Sequence, residues 1–172
     1  MGTNQQPSDA AVAEYLRGYK GQLLPSPVFY AIAETMALPY IELLIYHPST
    51  KRSEILLTRR EEDDPYFPGL WHVPGTLLRA ADLGKPGDNF GLAIERILNE
   101  ELGGLTIGPT TLAGLYFHGV TRGVGLSIIH TTRAQGTPAV GQFFPVSHLP
   151  EDIIPEQAVF IRKTTIDLHR RR

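Results

Sequence analysis

Hydrophobic and polar residues follow one another in short runs along much of the chain, a pattern typical of β-strands. The runs "YIELLIYHP" and "SEILLTRR" are separated by "PSTKR", and this arrangement predicts a β-hairpin. "LWHVPG" predicts a short third strand, and three later runs predict further strands: "TTLAGLYFHGV", "VGLSIIHTTRA" and "VGQFFPVS". Six strands are therefore expected, with "TLLRAADLGKPGDN" as a turn-rich connection after the third.

The apolar spacing changes to a helical period between about residues 88 and 102. Apolar side chains there recur on one helical face: Phe90, Ile94, Ile97, Leu98 and Leu102. Asp88 is expected to cap this helix, and Gly103 to close it in the left-handed conformation. A last helix is expected from Pro155. The order β, β, β, α, β, β, β, α predicts an α+β fold, a mixed β-sheet with these two helices on opposite sides.

The first 38 residues have a different character from the rest of the chain. "SDAAVAEYLRGYKG" predicts a short amphipathic helix capped by Ser8 or Asp9 and ended by Gly21. "SPVFYAIAETMALP" is compatible with a second helix or with an extended arm. We therefore expect an N-terminal accessory segment, 1–38, that helps to form a dimer or covers the sheet, followed by a domain at 39–172.

Composition narrows the class of partner. With 172 residues, 42% hydrophobic and 20% charged, the chain is expected to form one domain with a core. A net charge of -2 gives no basic field for binding nucleic acid, and the absence of cysteine excludes thiolate metal sites. No run approaches the roughly 18 apolar residues needed to span a membrane. We expect a cytoplasmic protein with a small-molecule partner, and neither a nucleic acid nor a membrane.

Several motifs together resemble the Nudix hydrolase family over roughly residues 38–170. They are "GLWHVPG", a helix that ends in "RILNEELGG", and "GQFFPVSHLP" before the terminal helix. The family's box runs Gly, five residues, Glu, seven residues, then Arg-Glu-apolar-x-Glu-Glu-x-Gly-apolar, and holds magnesium against a diphosphate. Five positions match it: Arg96, Leu98, Glu100, Glu101 and Gly103.

The resemblance implies a Mg²⁺- or Mn²⁺-dependent hydrolase that cleaves a nucleoside diphosphate linked to another moiety. It implies catalytic roles for Glu100, Glu101 and Arg96, and a metal site at Glu100, Glu101 and Gly75. A homodimer is also expected. Arg60, Arg79 and His118 are candidates for binding substrate, because a guanidinium suits phosphate and an imidazole near neutral pH can act as a base. A lone His beside aromatic residues is, however, more often structural.

The box also departs from the family pattern. Ile97 stands where the family has Glu, and four further positions differ: Thr76, Arg79, Asp88 and Gly104. The segment "RAADLGKPG" corresponds to an insertion of six residues. On a helix, positions 97, 100 and 101 share a face. Because position 97 is Ile, only two carboxylates lie on this face, whereas three could bind more than one cation. Between Leu105 and Pro150 there is no Asp or Glu to replace the third.

Other charged residues are expected to have ordinary roles. The run "RREEDD" at 59–64 predicts a solvated loop. Three acids near the start of the last helix are expected to cap it: Glu151, Asp152 and Glu156.

Three functions remain open on the sequence. The first, which the resemblance favours, is a divergent Nudix hydrolase. The second is a catalytically silent Nudix-fold module that binds a nucleotide. The third is an interaction domain whose N-terminal helices or "HRRR" tail dock a protein.

Overall fold

The computed structural model describes residues 7–20, 22–50, 53–85, 87–88, 90–120 and 123–170. Gly21, the predicted end of the first helix, and the last two residues of the "HRRR" tail lie outside these ranges. Within them, no helix is long and apolar enough to cross a membrane.

The described residues form four α-helices and seven strands. The helices are α1 (Asp9–Arg17), α2 (Ser26–Thr35), α3 (Gly91–Arg96) and α4 (Pro155–Arg170). The strands are β1 (Leu38–Tyr46), β2 (Glu54–Arg59), β3 (Trp71–His72), β4 (Gly75–Leu77), β5 (Thr111–Val120), β6 (Gly123–Arg133) and β7 (Gln142–Pro145). All six expected strands are present. The seventh, β4, lies in the segment that was expected to be only a connection.

The strands form one mixed sheet in the order β3-β2-β1-β6-β5, with β4 paired to β1 and β7 to β2. The predicted hairpin of β1 and β2 is confirmed by their antiparallel pairing. β1 and β6 run parallel over nine residue pairs, from Leu38 with Gly125 to Tyr46 with Arg133. The predicted mixed sheet flanked by helices is therefore confirmed.

The central strand β1 is apolar on both faces because both faces are covered. Ile41, Leu43 and Ile45 pack in one cluster with residues of α3. Leu44 and Tyr46 pack in a second cluster with residues of α4. Successive strand residues point to opposite sides of a sheet. The two helices therefore lie on opposite faces, as the sequence predicts.

The predicted helix at 88–102 differs in detail. The α-helix begins at Gly91, and its N-cap residue is Phe90 rather than the predicted Asp88. The Asp88 Oδ1 nevertheless accepts a hydrogen bond of 2.9 Å from the Gly91 N–H. From Ile97 to Glu101 the backbone is π-helical, and the Leu102 N–H donates to the Ile97 carbonyl oxygen at 3.2 Å. Gly103 closes the segment with φ of +60°, as predicted. Short π-helical turns are frequent at functional sites.

The N-terminal segment contributes two helices. Ser8 caps α1, because its Oγ accepts a hydrogen bond of 3.3 Å from Ala11, and α1 buries none of its residues. The second segment is a helix, α2, and not an extended arm. Its Ala33 packs against Leu38 and Tyr40 at the start of β1. The division of the chain at residue 38 stays a prediction.

Candidate functional site

A groove of about 670 Å³ lies beside the π-helical turn. β2 contributes Thr58 to its lining, the loop after β2 contributes Arg60, and β4 contributes Gly75 and Thr76. The helix contributes Arg96, Ile97, Glu100 and Glu101. The fold therefore brings five of the residues predicted for the site to one place: Arg60, Gly75, Arg96, Glu100 and Glu101.

Glu101 is held in a fixed position at the base of this groove. Its Oε1 accepts a hydrogen bond of 2.7 Å from the Thr58 hydroxyl, and its Oε2 accepts one of 3.1 Å from the Gly75 N–H. Burial raises the pKa of the Glu101 carboxyl, and the bonds from Thr58 and Gly75 and the charge of Arg60 oppose that rise. The carboxyl is thus both oriented and partly removed from water.

Two residues behind Glu101 support its orientation. The Thr58 hydroxyl lies 3.0 Å from His72 Nε2, and that nitrogen lies 3.5 Å from Glu101 Oε1. His72 Nδ1 lies 2.9 Å from the Val73 carbonyl oxygen, which holds the ring in place. Thr58 and His72 are both buried. Thr58 was not predicted from the sequence. The signal that could have identified it is a polar side chain at the end of the apolar run of β2.

Arg96 links the helix to β4 and to the inserted segment. Its guanidinium donates to both carboxylate oxygens of Asp82, at 3.2 and 2.6 Å, to the Leu77 carbonyl at 3.0 Å, and to the Thr76 hydroxyl. Burial alone would raise the pKa of Asp82, but the hydrogen bonds and charges of Arg96 and Arg79 outweigh it and lower the pKa. Because Thr76 and Leu77 belong to β4, Arg96 holds the strand that carries Gly75 against the helix. Its predicted catalytic role stays a prediction.

Gly75 cannot be replaced without a clash. A Cβ atom at this position would lie 2.2 Å from Glu42 Oε2 and 2.8 Å from the Ile41 carbonyl oxygen. Glu42 pairs with Gly75 across β1 and β4 and is only 7% exposed. The sequence reasoning missed Glu42. The signal was a single acid in the otherwise apolar run "YIELLIY", since a buried acid is rarely retained without a partner or a function.

A second cavity, of about 590 Å³, adjoins the groove and shares Arg60, Gly75 and Thr76 with it. We call it the inner cavity. One wall comes from the segment between α1 and α2 and the start of α2: Tyr19, Lys20, Gln22, Leu23, Leu24, Ser26 and Phe29. Two predicted substrate residues, Arg79 and His118, line the inner cavity and not the groove.

A chain of polar contacts crosses the wall of the inner cavity. His118 Nε2 lies 2.9 Å from the Ser127 hydroxyl, which donates to Glu42 Oε1 at 3.4 Å. Ser127 is fully buried and lies on β6, next to β1. His118 therefore helps to position Ser127 and, through it, the carboxylate of Glu42.

Of the acids expected only to cap α4, two have other contacts. Asp152 pairs with Arg59 at 3.4 Å, and Glu156 lines the inner cavity. The loop at 59–64 also does more than face solvent, because Arg60, Glu61, Asp63 and Asp64 line the groove.

The groove suits a cation that arrives with a diphosphate better than one held by the protein alone. Among the described residues, no group of three or more His, Cys, Asp or Glu side chains is placed to hold a metal ion. Ile97 is 1% exposed and belongs to the core. Glu100 is exposed, and a carboxylate offers about four lone-pair sites, of which the two hydrogen bonds to Glu101 take two. Magnesium commonly takes one or two carboxylates together with substrate phosphates. The residues fit that mode of binding.

No model of a known protein family matches the sequence, and no curated protein sequence matches it. Solved structures do resemble the fold. The NUDIX domain of Shewanella oneidensis NrtR, solved with ADP ribose, aligns with a TM-score of 0.59 at 17% identity, over 91% of this chain and 97% of that one. A MutT protein from Methanosarcina mazei Go1 aligns with a TM-score of 0.55 at 17% identity, over 78% of this chain and 94% of that one. A MutT NUDIX hydrolase from Burkholderia pseudomallei aligns with a TM-score of 0.55 at 19% identity, over 73% of this chain and 96% of that one.

These likenesses cover nearly the whole of each solved chain. At such low identity they establish the fold and not the activity. The chain has the Nudix fold, which confirms the resemblance drawn from "GLWHVPG" and "RILNEELGG".

Proposed function

We propose that the protein is a divergent Nudix hydrolase that cleaves a nucleoside diphosphate linked to another moiety. The observation that carries this proposal is the fixed carboxylate of Glu101, held by Thr58 and the Gly75 N–H at the base of a groove that Arg60 also lines. An oriented, partly desolvated carboxylate beside an arginine suits a phosphate ligand and its counterion. The ligand in the NrtR structure, ADP ribose, belongs to the proposed class.

The residues take separate roles in this proposal. Glu100 and Glu101, with Gly75 beside them, would hold a Mg²⁺ or Mn²⁺ ion bound together with the diphosphate. The bound cation neutralises phosphate charge and makes a nearby water more acidic. Arg60 pairs with phosphate oxygens through its guanidinium group, and Arg79 binds the part of the ligand that enters the inner cavity. Arg96 holds β4, which carries Gly75, against the helix, and His118 helps to orient Glu42 through Ser127.

A catalytically silent nucleotide-binding module is the second candidate. One observation favours it: the position where the family's box has a third acid is Ile97, which is buried in the core. With two carboxylates the cation site is weaker, and binding without turnover is then the expected behaviour.

One experiment separates these candidates. Nucleotide sugars, dinucleotides and nucleoside triphosphates are tested with Mg²⁺ and with Mn²⁺, and each mixture is read both as released phosphate and as a shift in melting temperature. Turnover that is lost in Glu100→Gln and Glu101→Gln, and kept in Glu95→Gln, supports the hydrolase. Glu95 is a matched control because it is exposed on α3 and does not line the groove. Binding without turnover supports the silent module. If no ligand binds, the interaction domain is the remaining candidate function.

The remaining expectations stay predictions. They are a homodimer, a cytoplasmic location, and a small-molecule partner without nucleic acid or membrane. Size-exclusion chromatography with light scattering measures the oligomeric state directly.

A further inference from the structure

Several charged atoms that line the inner cavity are buried without a hydrogen-bond partner. Arg60 Nε, Arg79 Nε and Glu156 Oε2 are three of the six such side-chain atoms in the described part of the chain. All three residues line this one cavity. Most buried polar atoms in proteins have a partner, either from the protein or from a bound molecule. Their convergence is compatible with a site that a polar ligand or ordered water completes.

The inner cavity carries charges of both signs. Arg60 and Arg79 supply cations, and Glu42 and Glu156 supply carboxylates. The remaining wall is largely apolar or aromatic: Leu23, Leu24, Phe29, Tyr40, Phe67, Leu77, Leu78 and Ile154. A volume of about 590 Å³ lies within the ordinary range for small-molecule sites. A matching ligand has an anionic part, an apolar body and hydrogen-bond donors.

The junction with the groove shows how such a ligand would lie. Arg60, Gly75 and Thr76 line both the groove and the inner cavity, so the two cavities are neighbours. Its diphosphate would lie near Arg60, within reach of Glu100 and Glu101 on the groove side. The group attached to the diphosphate would then enter the inner cavity and meet Glu42.

We propose that the inner cavity binds the nucleoside part of the ligand, and that Glu42 and Glu156 select it by accepting hydrogen bonds from its adjacent donor groups. This inference rests on the proposed function, because it takes the groove as the diphosphate site. A carboxylate has two oxygens and accepts two parallel hydrogen bonds from neighbouring donors. Ser127 donates to Oε1 of Glu42 and so fixes the direction of the carboxylate. The donors are either the hydroxyls of a ribose or the N–H groups of a base.

The N-terminal segment has a part in this selection. Tyr19, Leu23 and Phe29 line the inner cavity, and Phe29 also packs against the small cluster at the start of β1. An aromatic side chain can stack on a base, and apolar neighbours exclude water from the hydrogen bonds at Glu42. The accessory segment is therefore a wall of the ligand site.

Isothermal titration calorimetry on the full chain tests this inference. The probes are magnesium pyrophosphate, adenosine, guanosine, 2′,3′-dideoxyadenosine and ADP-ribose. The variants are Glu42→Gln and Glu156→Gln, which keep the side-chain shape and remove the charge. Glu151→Gln is the matched control, since Glu151 is exposed just before α4 and does not line the cavity. Melting curves for every variant verify that it is folded, and Glu156→Gln carries the test if Glu42→Gln does not fold.

The expected result is that Glu42→Gln and Glu156→Gln each weaken adenosine and ADP-ribose binding about tenfold and leave pyrophosphate binding unchanged. If removal of the ribose hydroxyls abolishes the effect of Glu42→Gln, the donors are those of the ribose. If the effect persists with dideoxyadenosine, the donors belong to the base, and the ratio of adenosine to guanosine affinity identifies which edge is read.

Two outcomes would overturn the inference. One is that no nucleoside binds the wild-type protein, and the other is that nucleosides bind the wild type and both variants equally. The proposed function fails in a different way. If nucleosides bind but pyrophosphate and its magnesium complex do not, then the groove is not a diphosphate site, while the inner cavity is still a nucleoside site.

Discussion

Replacement of Ile97 by Glu restores the acid that the Nudix box has at this position, and the structure predicts that the cost to stability will dominate. Ile97 is 1% exposed and packs in the cluster that contains Leu43, Ile94 and Leu102. It also borders the groove. The substitution therefore tests whether the position belongs to the core or to a metal site that has lost a ligand.

The magnitude follows from the burial of this side chain. Burying an Ile contributes about 1.5–3 kcal/mol, and that contribution is lost. Leaving a carboxyl buried without a full set of partners costs about 1–3 kcal/mol more. A loss of roughly 3–6 kcal/mol compares with a total stability of about 5–15 kcal/mol for a typical domain. For a chain of this size the melting temperature should fall by roughly 6–24 °C.

The assay compares melting curves with and without magnesium for the wild type, Ile97→Glu and two controls. Ile97→Leu keeps the apolar volume and should melt close to the wild type. Ile94→Glu places the same acid in the same cluster, at a residue that is 7% exposed and does not border the groove. We expect Ile97→Glu and Ile94→Glu to melt early to a similar extent, with no special response to magnesium.

The reasoning would be refuted if magnesium raised the melting temperature of Ile97→Glu much more than that of the wild type or of Ile94→Glu. That result would show a three-carboxylate site at 97, 100 and 101, and a gain in pyrophosphatase turnover would support it. Low stability without a magnesium response, which is the expected result, would show that position 97 belongs to the core.

Three further predictions follow from the site. Glu101→Gln should raise the melting temperature near neutral pH, because burial disfavours the charged carboxyl. The folded pKa of Glu101 lies above its ordinary value of 4.5, so the gain should be present at about pH 8 and absent at about pH 4. Asp82→Ala should cost about 3 kcal/mol by leaving Arg96 unpaired, as measured by urea unfolding, with Glu95→Ala nearly neutral. Because the folded pKa of Asp82 is lowered, its contribution should be complete above the unfolded pKa and be lost as the pH falls through the folded pKa. Deletion of residues 1–20 should weaken adenosine binding, because Tyr19 and Lys20 line the inner cavity; unchanged affinity, oligomeric state and melting temperature would together contradict any role for this segment.

Much of the fold could be predicted from local pattern. The apolar runs of β1 and β2 and the turn between them predict the hairpin, because strand propensity and turn residues act over a few neighbouring positions. The helical period predicts which face of the 88–102 segment is buried. Gly103 predicts its end, since a left-handed residue there favours glycine. The predicted start, at about residue 88, was too early, since the helix begins at Gly91.

The sequence by itself also placed three residues of the groove together, because the Nudix box keeps Arg96, Glu100 and Glu101 within one helical segment. Only the tertiary structure decided what those residues contact. Thr58 reaches Glu101 from 43 positions away in the chain, and Asp82 meets Arg96 through an insertion that has no counterpart in the box.

The inner cavity depended on tertiary structure most of all. Glu42, His118 and Glu156 come from three elements that are far apart in the chain, and the N-terminal segment closes over them. No local pattern encodes such a meeting, because it depends on strand order and on the packing of the flanking helices. Periodicity determines which way a side chain points within its own element, whereas the long-range contacts of the folded chain determine what it meets there.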